Sequence, residues 1–139
     1  MEPDDEMNDL TGRVIGAAIE IHRALGPGYQ EGIYEEALAF EFGRMGVSFE
    51  RQRTFSVKYL GHVVGEGRID FLIEGKLVVE LKAVEKTHPV HKAQVISYLK
   101  ALSCQTGLLI NFNESMLRSG IQRVIYTDPL CVSASLRLI

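Results

Sequence analysis

The chain has little cysteine, no long apolar run and no basic residue near its start. Its two cysteines, Cys104 and Cys131, stand apart from each other and from any CxxC or Cys/His cluster, which argues against zinc or iron–sulfur sites and favours buried reduced thiols. No apolar run reaches the ~18 residues that a membrane helix needs, so we expect no membrane partner. The acidic opening is the reverse of a signal peptide, and we therefore expect a cytoplasmic protein.

The charge is unevenly distributed along the 139 residues, a length that fits a single domain with its own core. Residues 1–9 contain five acids and no Lys or Arg, and we expect them to form a disordered acidic tail before a single domain over residues 10–139. The remaining 13 acidic and 15 basic residues give a charge of +2. This mildly basic body permits phosphate binding without requiring it.

The apolar periodicity changes along the chain from helical to alternating and back. The pattern predicts an α/β domain of order ααβββαβ(β), with an antiparallel hairpin and a crossover helix that returns a later strand to the sheet. The predicted helices cover about 9–25, 30–45 and 89–103, the strands 48–59, 63–66, 68–73, 77–84, 107–112 and 121–126, and a short helical turn 114–117; residues 128–139 are ambiguous.

Three charged residues lie within the apolar hairpin between residues 69 and 82: Asp70, Glu80 and Lys82. Burying carboxylates costs several kcal/mol per ion unless a partner compensates. A divalent metal between Asp70 and Glu80 would supply that compensation, with Lys82 beside it. This D…ExK arrangement is typical of metal-dependent phosphodiester cleavage. The alternative is a salt bridge between Glu80 and Lys82, or an exposed face that carries both.

The length of the hairpin loop decides whether the two carboxylates can share a metal. A two-residue loop at Glu74 and Gly75 would place Asp70 opposite Val79, leaving Glu80 on the other face. A three-residue loop, or a bulge in either strand, would place Asp70 opposite Glu80. A shared metal therefore predicts the odd loop or the bulge.

Two predicted helices add further candidates at helical spacing. His91, Gln94 and Tyr98 share one stripe of the helix after Pro89; the alternative is a surface Gln and a half-buried Tyr. In the second helix Glu31, Tyr34 and Glu35 share another stripe. Glu31 is the better candidate for a third carboxylate near the metal, and Glu35 the second, although an acid in a first turn also suits the helix dipole.

The combined motifs resemble the GxxExxY proteins, a family grouped with the PD-(D/E)XK nuclease superfamily. The resemblance covers about residues 10–126 and is carried by Gly28-x-x-Glu31-x-x-Tyr34, by residues 18–28, 79–83 and 107–113, and by Gln94-x-x-x-Tyr98, which is similar to the helix motif of the RecB-type branch. It implies an αβββαβ core with a mixed central sheet flanked by helices. Gly67-Arg68-Ile69-Asp70 lacks the Pro that often precedes the Asp in that superfamily.

The resemblance also implies roles for the candidate residues. Asp70, Glu80 and the Leu81 carbonyl would bind Mg²⁺ or Mn²⁺, with help from Glu31, and Lys82 would be the catalytic lysine. The remaining candidates would position substrate or support the metal ligands: Gln94 and Tyr98 as part of the catalytic set, and Tyr34, His91 and Lys92 as substrate-binding residues. Solvated surface charge is the alternative for His91 and Lys92.

These expectations lead to a metal-dependent nuclease that acts on DNA or on RNA. The alternative is a non-catalytic nucleic-acid-binding or adaptor protein that retains the fold. The chain has no P-loop and no obvious aromatic platform for bases. We therefore expect it to rely on a homodimer or a partner protein for substrate grip.

Overall fold

The computed structural model describes residues 3–127, which form three helices and a five-stranded mixed sheet. The sheet has the order β1-β2-β3-β4-β5, in which β3 and β4 are parallel and the other pairs antiparallel. The predicted α/β class and crossover helix are confirmed. The elements are α1 (Pro3–Leu25), α2 (Glu31–Met45), β1 (Phe49–Tyr59), β2 (His62–Ile73), β3 (Leu77–Lys82), α3 (Pro89–Leu102), β4 (Thr106–Asn111), a 3₁₀ turn (Leu117–Gly120) and β5 (Ile121–Ile125).

The first helix begins six residues earlier than the apolar pattern predicts. It starts at Pro3, so residues 3–9 are helical and the expected disordered tail is wrong for them. Proline suits a first helical turn because its missing N–H would have no partner there. Met7 packs against the core and Asn8 accepts a hydrogen bond from Arg123, so these early turns have tertiary contacts that the acid-rich sequence conceals.

Two apolar clusters cover the two faces of the sheet. The larger cluster joins α1 and α2 to one face, through residues such as Val14, Leu38 and Phe71. The smaller cluster packs α3 on the opposite face, where Val95 and Leu99 belong to one cluster with residues of β2, β3, β4 and β5. The sheet is therefore a central layer between helices, and polar groups within its inner strands are shielded from water on both sides.

Several predicted boundaries differ from the structure. β2 is one strand of 12 residues, because β1 pairs with it along almost its whole length. β3 ends at Lys82, two residues before the predicted end, because the Asn111 side chain takes over the backbone groups of Val84. The short helical turn lies at Leu117–Gly120, later than expected.

Some expectations concern the chain ends. Residues 1–2 and 128–139, including Cys131, lie outside the described residues, whereas Cys104 is a buried free thiol as expected. None of the helices described is long and apolar enough to cross a membrane.

Gly120 offers a test of how tightly the 3₁₀ turn packs on β4. A Cβ at this position would lie 2.4 Å from the Asn111 carbonyl oxygen, a backbone atom that cannot move without disturbing β4. We expect Gly120→Ala to lower the free energy of unfolding by about 1–3 kcal/mol. Gly43→Ala in α2, where the added methyl meets open space, should instead stabilise by about 0.5–1 kcal/mol. Urea denaturation of both variants measures the difference, and equal effects would contradict this packing.

Candidate functional site

The hairpin between β2 and β3 has the three-residue loop that a shared metal requires. Ile73 pairs with Leu77, so Glu74, Gly75 and Lys76 form the loop. Continuing the same register places Asp70 opposite Glu80, as the longer-loop alternative predicts.

The two strands separate at this point, and the carboxylates take over the hydrogen bonds of the missing ladder. The last paired residues are Phe71 and Val79. Beyond them the Asp70 N–H donates to Glu80 Oε1 at 2.8 Å, and the Leu81 N–H donates to Asp70 Oδ2 at 2.8 Å. Each carboxylate therefore binds the backbone of the opposite strand, and both are fixed where the strands open.

The regular alternation of side chains between the two faces of the sheet is interrupted at Asp70. Ile69 packs in the α3 cluster, whereas Phe71 packs in the α1/α2 cluster, although residues two apart in a regular strand share a face. On β1, Gln52 lies between the pairs Arg51–Phe71 and Arg53–Ile69 without a partner in the ladder, and its φ of 54° is in the left-handed region. Such strained backbone persists only where surrounding contacts hold it, and it is common at functional sites.

The surroundings of the two carboxylates favour their protonated forms. Glu80 is 7% exposed, and burial, followed by the charge of Asp70, raises its pKa to about 8. Burial also raises the pKa of Asp70, opposed chiefly by the hydrogen bond from Leu81. Two carboxylates held together in a shielded position repel each other, and a cation between them would relieve that repulsion.

Lys82 lies at the end of β3 on the same face as Glu80, two residues away, and is partly exposed. It forms no ion pair with Glu80 or Asp70, which removes the salt-bridge alternative. The ammonium group is nevertheless close enough for its charge to lower the pKa of both carboxyls. The structure thus brings Asp70, Glu80 and Lys82 together, as predicted.

The start of α2 brings two more acids towards the hairpin. Burial, then the charge of Asp70, raises the pKa of Glu31, so the two carboxyls lie near each other. Glu35 is engaged differently: its carboxylate accepts hydrogen bonds from Arg51 at 2.7 Å and from Gln52. Glu31, the first candidate for a third carboxylate near the metal, has no such hydrogen-bond partner on β1, whereas Glu35 has two.

Tyr34 was a candidate for substrate binding, and this prediction is wrong. Its side chain is fully buried and stacks on Phe112 with ring centroids 4.5 Å apart. The hydroxyl donates to the Gly26 carbonyl at 2.6 Å and accepts from the Tyr29 N–H at 3.2 Å. Tyr34 therefore anchors the loop between α1 and α2, because its stripe of the helix faces the core.

The candidates on α3 differ in their positions. Tyr98 is half-buried, and burial raises the pKa of its hydroxyl. The charges of Glu80 and Asp70 raise this pKa further, so the hydroxyl lies near the two carboxylates. Gln94 and Lys92 are exposed. Burial lowers the pKa of His91, and the ammonium charge of nearby Lys82 lowers it further. Its Nδ1 accepts the His88 N–H at 3.0 Å, so this ring also closes the first turn of α3.

Sequence reasoning missed two polar residues that hold the site. Gln52 Nε2 donates to Asp70 Oδ1 at 3.3 Å and to Glu35, linking β1, β2 and α2. Buried Asn111, which is paired with Lys82 across β3 and β4, bonds the Val84 backbone through both its oxygen and its nitrogen. Asn111 could have been identified as a polar residue at the end of an apolar strand. Nothing in the sequence marks Gln52, since polar and apolar residues alternate poorly along its strand.

The donor set suits a hard divalent cation only in part. Half-buried Asp70 and buried Glu80 supply carboxylate oxygens, the ligand type that Mg²⁺ and Mn²⁺ prefer. Between residues 3 and 127, no group of three or more His, Cys, Asp and Glu side chains is gathered closely enough to hold a metal. The pair therefore fits as the protein half of an oxygen site, completed by backbone carbonyls and water, and Glu31 as a direct ligand stays a prediction.

Comparisons with known proteins concern the family and the fold. The family model described as the PD-(D/E)XK nuclease superfamily matches residues 8–124. A solved structure titled "Crystal structure of SSO0001" is similar in fold, with a TM-score of 0.54 and 22% identity over 73% of this chain. The chain spans 52% of that protein, about half its length. No curated protein is significantly similar to the chain in sequence.

The raised pKa of Glu80 predicts a pH-dependent stability. A carboxyl whose pKa rises on folding from 4.5 to about 8 disfavours the folded state once it must ionise, so the metal-free protein should lose stability as pH rises between these values. Glu80→Gln removes this loss. We expect its melting temperature to match the wild type near pH 4.5 and to exceed it by at least about 2 °C above pH 8.

Thermal melts in EDTA across this range measure the effect. Glu20→Gln, which removes an exposed carboxylate on α1, is the control for the loss of one negative charge. A constant difference between Glu80→Gln and the wild type at all pH values would contradict the prediction.

Proposed function

The chain belongs to the PD-(D/E)XK nuclease superfamily, and from this membership we propose that it hydrolyses phosphodiester bonds of DNA with the help of a divalent metal. The observation that carries the proposal is the crossed pair of carboxylates, in which Asp70 and Glu80 each bind the backbone of the other's strand. A purely structural pair would gain nothing from being shielded from water with raised pKa values.

Mg²⁺ or Mn²⁺ would be held by Asp70, Glu80 and the Leu81 carbonyl, with Glu31 nearby. When bound, such an ion polarises a phosphodiester oxygen and lowers the pKa of water. The protein's own residues fix the geometry. The Leu81 N–H orients the Asp70 carboxylate and the Asp70 N–H orients that of Glu80, so neither group needs to reorganise during the reaction.

Lys82 supplies the positive charge of the site. Because it forms no ion pair with the carboxylates beside it, its ammonium is free to orient the attacking water or to stabilise charge that develops on the phosphate. Tyr98, whose hydroxyl lies near both carboxylates, and exposed Gln94 would contact the substrate from α3. His91 and Lys92 at the start of α3 would contact a neighbouring phosphate.

Finer statements belong to the same proposal. The GxxExxY family is supported by Gly28, Glu31 and Tyr34 at the loop and start of α2, where the Tyr34 hydroxyl binds the Gly26 carbonyl. The role that this geometry gives the tyrosine is structural. A cytoplasmic location, and a homodimer or partner protein that supplies substrate grip, stay predictions of the sequence.

Cleavage assays test the proposal directly. We expect single-stranded and plasmid DNA to be cut in Mg²⁺ or Mn²⁺ but not in EDTA. Asp70→Asn, Glu80→Gln and Lys82→Ala should each lower the rate at least about 100-fold, since each removes charge at the reacting centre. Arg13→Ala, on the exposed surface of α1, serves as the control and should cut normally.

The variants also separate enzyme from adaptor. A wild-type protein that binds nucleic acid but cuts none under any metal condition would contradict the nuclease and favour the non-catalytic binding protein. Equal cutting by wild type and Glu80→Gln would instead indicate a contaminating nuclease.

Gln52 predicts a second effect on the same site. Because its amide holds Asp70 from β1, Gln52→Ala should weaken Mn²⁺ binding about 10- to 100-fold, as loss of groups that orient metal ligands commonly does. Calorimetric titration with Mn²⁺ measures the change. Thr54→Ala, two residues along the same strand and exposed, is the matched control. Unchanged affinity in Gln52→Ala would show that Asp70 needs no support from β1.

A further inference from the structure

A groove lies beside the carboxylate site, between α3 and the outer part of the β1–β2 hairpin. Its volume is about 840 Å³, within the range of ligand-binding clefts, roughly 300–1,000 Å³. The hairpin wall extends past β3, because β3 pairs only with residues 71–73 of β2. The hairpin therefore stands away from the sheet as a two-stranded ribbon, and among residues 3–127 it is α3 that faces it across the groove.

Two aromatic side chains lie in the apolar part of the groove, which Val57 and Ala101 also line. Phe55 from the ribbon and Tyr98 from α3 contact each other with centroids 5.4 Å apart, and both are half-buried. The Phe55 ring lies directly on Gly67, where a Cβ would come within 2.3 Å of the ring, so the glycine lets the ring lie flat on the ribbon. This packing fixes Phe55 in place while part of each ring lines the open groove.

Two lysines give the groove its charge. Lys58 on the ribbon and Lys100 on α3 line opposite walls, and both are exposed. Neither forms an ion pair with any residue between 3 and 127. Glu66, opposite Ser56 on the ribbon, also lines the groove and leaves it with a net charge of +1. Opposed unpaired cations beside an aromatic pair suit a ligand that has both anionic and flat apolar parts.

We propose that this groove binds a single-stranded segment of nucleic acid next to the phosphate at the carboxylate site. The inference rests on the proposed function and names the form of its substrate. Bases of a single strand can stack on Phe55 and Tyr98, while its phosphates contact Lys58 and Lys100. The bases of a duplex are already stacked and paired, so they cannot reach rings recessed between the ribbon and α3.

Tyr98 connects the groove to the site. Its ring lines the groove, and its hydroxyl is near enough to Glu80 and Asp70 for their charges to act on it. A strand that follows the groove towards Tyr98 is thereby led to the carboxylates. Charge on the lysines and stacking on the rings tolerate any base, and binding should accordingly show little sequence preference.

Fluorescence anisotropy with a labelled single-stranded DNA of about twelve nucleotides, in EDTA, tests the groove without requiring cleavage. The double variant Lys58→Glu/Lys100→Glu should bind at least about tenfold more weakly than the wild type. Phe55→Leu, which keeps an apolar side chain over Gly67, should weaken binding about fivefold or more. Lys76→Glu, an exposed lysine in the β2–β3 loop, is the matched control and should change affinity less than about twofold.

The outcomes separate this inference from the nuclease itself. Binding that depends on the lysines and Phe55, with no cleavage in Mn²⁺, supports the groove and contradicts the nuclease. Cleavage that is unaffected in all groove variants supports the nuclease and overturns the groove. No measurable binding of the oligonucleotide, equal loss in Lys76→Glu, or tighter binding of the matching duplex would each overturn the proposal. Thermal melts confirm that every variant is folded.

Discussion

The site depends on two hydrogen bonds that cross between β2 and β3 at the point where these strands stop pairing. Where β2 and β3 cease to pair, two backbone N–H groups would lack acceptors in a shielded position, at a cost of about 1–3 kcal/mol each. Asp70 and Glu80 provide those acceptors, each across the gap. The same bonds that satisfy the backbone hold two negative charges side by side, so the opening of the sheet and the chemistry of the site have one cause.

The surrounding elements serve to keep that opening in one shape. Gln52, in a left-handed conformation on β1, holds Asp70 from one side and connects it to Glu35 on α2. On the other side Asn111 fastens the chain just after Lys82 to the end of β4. Both residues are amides, which donate and accept without adding charge. The site thus gains rigidity without losing the electrostatic imbalance that attracts a cation.

Much of the fold was predictable because its signals are local. The apolar runs of β3 and β4 and the caps of α2 and α3 identify these elements in the sequence, and Asp70, Glu80 and Lys82 are conspicuous as charges within an apolar hairpin. Strand geometry alone left two alternatives for the length of the hairpin loop, two residues or three. Tyr34 shows the limit: its spacing with Glu31 is the same whether that helix face meets solvent or the core.

Contacts distant in sequence could not be predicted. Gln52 reaches Asp70 and Glu35 only because β1 lies between them, and Phe55 meets Tyr98 only because the ribbon lies beside α3. For this reason no aromatic platform for bases was visible in the sequence. The helical start at residues 3–9 is a similar case, since packing of Met7 outweighs a composition typical of disorder.

The loop at Glu74, Gly75 and Lys76 closes a register in which Ile73 pairs with Leu77. Side chains alternate along a strand, so a slip of β3 by one residue would turn Glu80 towards α1 and α2 and bring Leu81 or Val79 opposite Asp70. A slip of two residues would preserve the facing but bring Val78 or Lys82 opposite Asp70. The turn looks like an ordinary surface connection, yet the pairing that it closes decides whether the two carboxylates meet at all.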